Sequence, residues 1–346
     1  MSGTAMTRRG FFAGAAALGV AAVMRGNARE QPAPASMRSD AGARPLIVST
    51  RTQGKPANEK AAEVLAAGGS LLDAIEKGIN TAELNPEVLS VGYGARPNED
   101  GVLQLDAAIM DGATHRAGAV AALEMIPTPI SVARRVLEKT RHTLLAGDGA
   151  LRFAIAEGFE PQQIVTPKSL ELWEQWRKNP NRERFRRSSG EEPRRAPRPI
   201  EEEAADTITM VVLDAAGNLA AGGSTSGLSW KLSGRVGDVP LLGAGIFVDN
   251  RVGAAGATGD GDEMQKFSTT AIIVERMRAG MDPQAACESV LRWMLETNPA
   301  NKGIEACVYA VNKRGEFGAC SIRPKEFTYA VWMPGVSELR VAKSML

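Results

Sequence analysis

The chain has 346 residues, of which 44% are hydrophobic and 23% are charged, which is ordinary for a soluble globular protein with a sizeable core. The formal net charge is only +1, because 41 Lys and Arg residues are nearly balanced by 40 Asp and Glu residues. This balance provides no strong field for nucleic acid or for an anionic membrane surface, so we expect neither as a partner.

The first 30 residues have the character of an export signal. Residues 7–12 read TRRGFF, a twin-arginine pattern, and the apolar run AGAAALGVAAVM follows. This run is short and weakly apolar for a membrane span, although a retained N-terminal anchor is an alternative, and small residues at 26–28 suit cleavage. Twin-arginine export carries folded proteins, so we expect a periplasmic protein without membrane attachment after signal removal, beginning with a flexible leader over 31–44.

The next part of the chain mixes strands and helices. A first strand is predicted over 45–50. Helices are predicted over 59–67, 71–83, 129–139 and 149–157, and short strands over 102–105, 107–110 and 143–145. Residues 167–205 are rich in Arg, Glu and Pro and predict only one short helix, over 170–176. We expect a mobile, solvated linker over 177–206.

Order resumes at Thr207, where a polar Asp-Thr pair begins the apolar β-branched run ADTITMVV. A hairpin is predicted over 207–213 and 219–224, and a Gly-rich loop region with a functional character follows over 222–262. Helices over 263–277 and 283–296 and strands over 306–311, 318–322 and 327–332 complete the chain. This order favours an α+β fold class with helices packed on stacked sheets.

The residues available for chemistry exclude several common solutions. Only two histidines, His115 and His142, are present, and neither adjoins a nucleophile pattern, which argues against Ser-His-Asp and Cys-His catalysis. Residues 260–263 lack the spacing of a calcium loop, and the three cysteines lack zinc-site spacing, so we expect no metal and no cofactor. One disulfide, between Cys307 and Cys320, is compatible with an oxidising compartment.

A threonine can act without histidine when its own α-amine is the base. Such a mechanism needs cleavage of the chain directly before the threonine. A linker that ends at Asp206, followed by a strand that begins with Thr207, has that arrangement. Taken alone, however, an Asp-Thr pair more often marks just a turn and the first residue of a strand.

The chain resembles the glycosylasparaginases, also called aspartylglucosaminidases, in several long stretches. These are DTITMVVLDAAGNLAAGGSTSG, SGRVGDVPLLGAG and AAGATGDGDEMQK, supported by STRTQGKPANEKAAEVLAAGGSLLDAIEKG and DAAIMDGATHRAGAVAALEMIPTPISVARRVLEKTRHTLLAGDGA. The resemblance covers nearly everything from Pro45 onward. It implies one catalytic domain with the four-layer αββα sandwich of the N-terminal nucleophile hydrolases, an α chain over 45–206, a β chain over 207–346, and a dimer of such processed heterodimers.

The resemblance implies a role for each matching residue. Thr207 would be the nucleophile, exposed by self-cleavage of its bond to Asp206, and Thr225 would hydrogen-bond it. Arg235 would bind the α-carboxylate of an asparagine substrate, and Asp238 would accept from its α-ammonium group. These assignments suit the chemistry, because a guanidinium pairs bidentately with a carboxylate and a carboxylate attracts an ammonium.

The remaining matches would complete the site. Thr258 and Gly259 would form an oxyanion hole from one hydroxyl and one backbone N–H. Gly261 would offer its carbonyl to the substrate ammonium, and Ser90 in LSVGYG matches a serine close to the site. Without the resemblance, these motifs would be interpreted as a turn with a surface ion pair and as a helix N-cap.

The implied activity is hydrolysis of the side-chain amide of N4-substituted asparagine to aspartate and an amino sugar. Two alternatives stay open. One is a plant-type L-asparaginase or isoaspartyl peptidase, in which glycine usually stands where this chain has Asp206; the other is an unprocessed, inactive fold that binds a ligand or partner. The chain departs from the family's usual pattern at Arg51, where Trp is usual, and at Ala205, where His is usual. We expect these departures to affect substrate specificity and processing, respectively.

Overall fold

The computed structural model describes residues 44–180, 182, 207–322 and 326–346. The predicted signal, the leader up to residue 43 and most of the predicted linker, including Asp206, lie outside these residues. None of the helices in the described ranges is long and apolar enough to cross a membrane.

Helices and strands account for most of the described chain. The helices are α1 Gly54–Ala66, α2 Leu71–Glu83, α3 Pro129–Lys139, α4 Gly147–Ala156, α5 Pro167–Lys178, α6 Gly261–Phe267, α7 Thr269–Arg278 and α8 Pro283–Thr297, with a 3-10 turn at Pro299–Gly303. The strands are β1 Leu46–Thr50, β2 Leu105–Asp111, β3 Ala117–Leu123, β4 Leu144–Ala146, β5 Ile208–Leu213, β6 Leu219–Thr225, β7 Ile246–Asp249, β8 Gly253–Gly259, β9 Ala306–Asn312, β10 Phe317–Ile322, β11 Thr328–Met333, β12 Val336–Val341 and β13 Lys343–Ser344.

The strands form two sheets. One has the order β12-β11-β1-β5-β6-β2-β3-β4, and the other has the order β13-β10-β9-β8-β7. Pairing is antiparallel throughout except between β3 and β4 and between β10 and β13. In the larger sheet, β5 lies between β1 and β6, so Thr207, which directly precedes β5, lies at the end of a central strand.

Alternating side chains give each central strand two apolar faces. In β1, Ile47 packs with α1 and α2, whereas Leu46 and Val48 point into the space between the two sheets. In β9, Val308 packs with the helices α6, α7 and α8, whereas Tyr309 faces the larger sheet. Because strand side chains alternate in direction, this pattern produces three apolar layers between four structural layers. The predicted αββα sandwich is therefore confirmed.

A helix cap and a glycine of the sheet fix the position of α2 on the larger sheet. Ser70 caps the helix: its hydroxyl accepts from the Asp73 backbone N–H at 3.1 Å, and its own N–H donates to the Asp73 carboxylate at 2.8 Å. Ile75, on the buried face of α2, lies directly over Gly222 of β6, where a Cβ atom would stand 2.4 Å from the isoleucine Cγ2. The glycine therefore allows the close approach of helix and sheet.

Several boundaries differ from the sequence-based predictions. The helix predicted over 263–277 is two helices, because Ser268, between α6 and α7, adopts a left-handed conformation with φ of +46°. The strand β2 contains the piece predicted at 107–110, whereas the strand predicted at 102–105 is wrong except for Leu105, where β2 begins. The predicted helix over 170–176 extends to Lys178, into the start of the predicted linker.

The disulfide considered between Cys307 and Cys320 is absent from the described residues, where both of these residues and Cys287 are buried thiols. Cys307 packs in the apolar layer between the sheets, whereas Cys320 packs in the layer beneath α7 and α8. The two side chains thus lie on opposite faces of the smaller sheet, and a disulfide between them would require a different register.

Candidate active site

Neighbouring central strands of the larger sheet bring several polar residues together at their ends. Thr50 ends β1, Thr207 precedes β5 and Thr225 ends β6, and in the sheet order β1, β5 and β6 are adjacent. Asp106, at the start of β2, stands directly opposite Thr225 in the β2–β6 ladder. Because neighbouring strands run in opposite directions, the residues that end β1 and β6 lie beside those that begin β5 and β2.

Thr207 is held on both its side chain and its backbone. Its hydroxyl donates to the Thr225 hydroxyl at 3.0 Å. The Thr50 hydroxyl donates to the Thr207 carbonyl at 2.7 Å and accepts from the Thr209 N–H at 2.9 Å. The Thr225 hydroxyl also accepts from the Gly227 N–H at 2.9 Å. The Thr207 hydroxyl is thus nearly buried and fixed in direction.

The oxyanion-hole candidates come from the smaller sheet. Thr258 and Gly259 end β8, which packs against β5 and β6 across the space between the sheets. The Thr258 hydroxyl is buried and has no hydrogen-bond partner within the described part of the chain. Gly259 has φ of +121°, and a Cβ there would lie 2.2 Å from the Glu305 carbonyl oxygen, so no other residue fits without a backbone shift. Asp260 N–H donates to that same carbonyl at 2.6 Å.

Arg235, Asp238 and Gly261 lie together. A Cβ at Gly261 would stand 2.6 Å from Asp238 Oδ1 and 3.2 Å from Arg235 Nη2, so the glycine leaves space beside both groups. Arg235 donates to the Asp262 carboxylate, from Nη2 at 2.8 Å and from Nε at 3.4 Å. The two oppositely charged groups therefore face one small space, as recognition of an amino acid's α-groups requires.

Asp238 is the electrostatically unusual member of this group. It is buried, and its Oδ2 has no hydrogen-bond partner among the described residues. Burial raises the pKa of Asp238 to about 7, while nearby Arg235 opposes the rise and Asp262 adds to it. A cation that entered this space would supply the missing partner and would favour the ionised carboxylate.

Gly227 and Ser226 connect these groups into one site. Gly227 donates to Thr225, and a Cβ on Gly227 would lie 2.9 Å from Arg235 Nη1, so the glycine stands between the Thr207 pair and the arginine. Ser226 donates to the Ser90 carbonyl from its N–H at 2.8 Å and from its hydroxyl at 3.1 Å. Ser90 therefore adjoins the site through its backbone.

Arg51 lies at the border between the two sheets. It directly follows Thr50, has φ of +63°, and forms an ion pair with Glu305. Its guanidinium also stands over the Phe327 ring, 5.2 Å from the centroid. Because the Glu305 backbone contacts Asp260, this ion pair connects the end of β1 with the turn that carries Gly259.

Comparison with known proteins shows the family of this chain. A model of the asparaginase family matches residues 38–334. The chain belongs to the asparaginase family. A relative from Elizabethkingia miricola, named N(4)-(beta-N-acetylglucosaminyl)-L-asparaginase, is 44% identical over 292 residues, which cover 83% of this chain and 81% of the relative. A relative of the same name from Rattus norvegicus is 39% identical over 305 residues, covering 84% and 87%, respectively.

Membership in the asparaginase family confirms the predicted resemblance and the N-terminal nucleophile hydrolase class. Hydrogen bonds link Thr207 to Thr225 and, through Ser226, bring in Ser90, while Gly227 stands between this group and the one formed by Arg235, Asp238 and Gly261. Thr258 and Gly259 are joined to Gly261 along the chain, and Asp206 lies outside the described residues. No group of three or more His, Cys, Asp and Glu side chains suited to a metal ion occurs in the described ranges.

Sequence reasoning missed several residues of this site. Thr50 reads as the last residue of an apolar strand, and Asp106 as one polar residue in QLDAAIMD. Lys231 reads as a solvent-exposed lysine in a turn, although its side chain is buried beside Asp106. A polar residue inside an otherwise apolar strand was the one available signal for Thr50 and Asp106.

Proposed function

We propose that this protein is a self-processing amidohydrolase that cleaves the side-chain amide of N4-substituted asparagine. The observation that carries the proposal is the Thr207 hydroxyl, held at 3.0 Å from the Thr225 hydroxyl at the end of a central strand, with no histidine among its hydrogen-bond partners in the described part of the chain. The names of the relatives add the substrate class, since both act as asparaginases on a glucosaminyl-substituted nitrogen according to those names.

Self-cleavage would create the catalytic base. In our proposal, Thr207 Oγ attacks the carbonyl carbon of Asp206, the bond to the Thr207 nitrogen breaks to give an ester, and that nitrogen takes up the proton that the hydroxyl loses. Water then opens this ester, which leaves a carboxylate on Asp206 and a free α-amine on Thr207. The amine is the only base that the Thr207 hydroxyl then needs, as in other catalysts with an N-terminal threonine.

Hydrolysis of substrate would follow the same geometry. Arg235 binds the α-carboxylate of the asparagine moiety, and Asp238 with the Gly261 carbonyl binds its α-ammonium. Thr207 Oγ attacks the side-chain carbonyl carbon while the Thr207 amine takes the hydroxyl proton. The oxygen that becomes negative accepts hydrogen bonds from the Thr258 hydroxyl and the Gly259 N–H.

Collapse of this intermediate releases the substituted amine, which receives the proton from the Thr207 ammonium. The remaining β-aspartyl ester on Thr207 is then hydrolysed by water to give aspartate and free Thr207. The Thr258 hydroxyl supports this role, because a buried donor without a partner in the described ranges is costly unless something binds it during function.

A substrate comparison tests the proposal. We expect the cleaved protein to release aspartate from N4-(β-N-acetylglucosaminyl)-L-asparagine with a higher kcat/KM than from L-asparagine or a β-aspartyl dipeptide. The control variant Thr207→Ala should neither self-cleave nor release aspartate. A preference for L-asparagine or the dipeptide would instead assign the plant-type activity, and full activity in Thr207→Ala would refute the nucleophile.

We also propose that the protein is exported by the twin-arginine route, works in the periplasm, and assembles as a dimer of processed heterodimers. Arg8 and Arg9 carry the first part of this proposal, and both lie outside the described residues. Replacing both with Lys should retain the protein in the cytoplasm of a bacterial host. Sedimentation of the mature protein should give twice the mass of one chain; a single-chain mass would contradict the dimer.

A further inference from the structure

Lys231 is a charged group that the reaction above does not use. The residue is 1% exposed, which is rare for a lysine unless it is paired. Its Nζ donates to the Gln104 carbonyl at 3.1 Å and lies 3.7 Å from Asp106 Oδ2. Burial lowers the pKa of Lys231, and the negative charge of Asp106 opposes that effect. Such a buried pair is expensive to desolvate.

The partners of Lys231 also hold the segment that contains Arg235. Gly234 N–H donates to the Gln104 side-chain oxygen at 2.9 Å, and Gly237 N–H lies 3.3 Å from Asp106 Oδ2. With the Lys231 ammonium, the segment 231–237 is therefore attached to the start of β2 at three points. This segment has no regular secondary structure of its own, so these contacts set the position of its side chains.

Asp106 connects this segment to the nucleophile. It is fully buried, its Oδ1 accepts from the Ala122 N–H at 2.7 Å, and its backbone stands opposite Thr225 in the β2–β6 ladder. Thr225 in turn hydrogen-bonds Thr207. The same carboxylate therefore borders the strand that orients the nucleophile and holds the segment with the substrate-binding arginine.

Lys231 also restricts the direction of Arg235. A Cβ on Gly227 would lie 3.2 Å from Lys231 Nζ and 2.9 Å from Arg235 Nη1, so both cations converge on the same glycine. Two like charges that border the same glycine repel each other more strongly in a buried site than in water. The repulsion favours the observed direction of Arg235, whose other nitrogens face Asp262 and Gly261.

We propose that Lys231 is a positioning residue for substrate binding, which acts through Asp106 to keep Arg235 and Asp238 at the correct distance from Thr207. This inference rests on the proposed function, because it assigns the same two residues to the substrate's α-groups. Lys231 does not touch the substrate; it sets the distance between the point where the α-groups bind and the point where the amide carbonyl is attacked.

The variant Lys231→Met tests the proposal, because it removes the ammonium and keeps an unbranched apolar side chain. We expect self-cleavage to run to completion, KM to rise by about 10- to 100-fold, and kcat to stay within about threefold, since misplacement of a binding group by a fraction of an ångström has effects of this size. The inhibition constant of the product, L-aspartate, should rise by the same factor as KM. A structural role alone would lower thermal stability and leave both constants unchanged.

Two further variants keep the test decisive. Lys266→Met removes an exposed lysine of α6 that pairs with Glu263, and its KM should equal that of the original protein. Lys231→Met combined with Asp106→Asn leaves no unpaired buried charge, so it should fold even where the single variant does not, and its KM should stay raised. An unchanged KM in either Lys231 variant, or a fall in kcat alone, would overturn the proposal. Inactivity of the original protein toward every asparagine derivative would instead overturn the proposed function.

Discussion

The Thr258 hydroxyl separates catalysis from stability more sharply than any other group in the site. We expect Thr258→Val to keep the fold and lose the reaction. Valine has nearly the same shape as threonine and suits a strand position, so β8 should pack as before. The change removes one hydroxyl that is buried and has no hydrogen-bond partner among the described residues.

The change should affect stability and catalysis in opposite directions. A buried polar group without a partner costs about 1–3 kcal/mol, so the free energy of unfolding should stay equal or rise by about that amount. Loss of one oxyanion donor costs about 100- to 1,000-fold in kcat, or about 3–4 kcal/mol in the barrier. KM should change little, because the hydroxyl is needed only once the carbonyl oxygen becomes negative.

Urea unfolding and steady-state release of aspartate measure the two effects, with activity expressed per cleaved chain so that slower processing does not count as slower hydrolysis. Thr270→Val is the matched control, because Thr270 on α7 also has a buried hydroxyl without a partner in the described ranges. This control should gain similar stability and keep full activity. A Thr258→Val protein with kcat within about threefold of the original, or with lower stability that accounts for its inactivity, would contradict an oxyanion role for the Thr258 hydroxyl.

Three further predictions concern charged groups. Because burial raises the pKa of Asp238 to about 7, calorimetric binding of L-aspartate should weaken about tenfold per pH unit below pH 7, and equal affinity at pH 5 and pH 8 would contradict this. Burial also raises the pKa of Glu83 to about 7, so the folded state retains a proton that the unfolded state has lost, and stability falls as pH rises from about 4.5 to 7. At pH 8, the free energy of unfolding of Glu83→Gln, measured with urea, should therefore exceed that of the original protein by up to about 3 kcal/mol, whereas at pH 4 the two should be equal. A gain in this free energy of equal size at both pH values would be inconsistent with the raised pKa. Glu305→Gln removes the carboxylate that Arg51 pairs with and should lower the free energy of unfolding in urea by up to about 3 kcal/mol, whereas Arg51→Met combined with Glu305→Gln should cost less; equal losses would contradict a contribution from this partly buried pair.

The sequence predicted those elements whose signals are local. Pro129 at the first turn and a clear apolar face predict α3 with its observed bounds, and the apolar β-branched run after Thr207 predicts β5. The Gly-rich region was not predicted to contain strands, although β7 and β8 lie there. Gly256 of β8 explains why: a Cβ at this position would lie 2.5 Å from the Tyr309 hydroxyl, so the strand needs small residues that carry little strand propensity.

Among the site residues, too, only those that stand in local sequence motifs could be predicted. Thr207, Thr225, Arg235, Asp238 and Thr258 stand in long motifs, so resemblance could identify them. Their support could not be identified in this way, because Lys231 and Asp106 lie far apart in the chain and meet only when β2 and the segment after β6 are placed side by side. Burial turns these two ordinary charged residues into a pair, and burial depends on the tertiary structure rather than on any local pattern.

The most direct test of the account is the intact mass of the purified protein under denaturing conditions, combined with N-terminal sequencing. Self-cleavage before Thr207 predicts two fragments, the second of which begins Thr-Ile-Thr-Met, and therefore a free α-amine on Thr207. A single chain that stays uncut after prolonged incubation would contradict it, because the Thr207 hydroxyl would then have no base and the proposed hydrolysis could not occur.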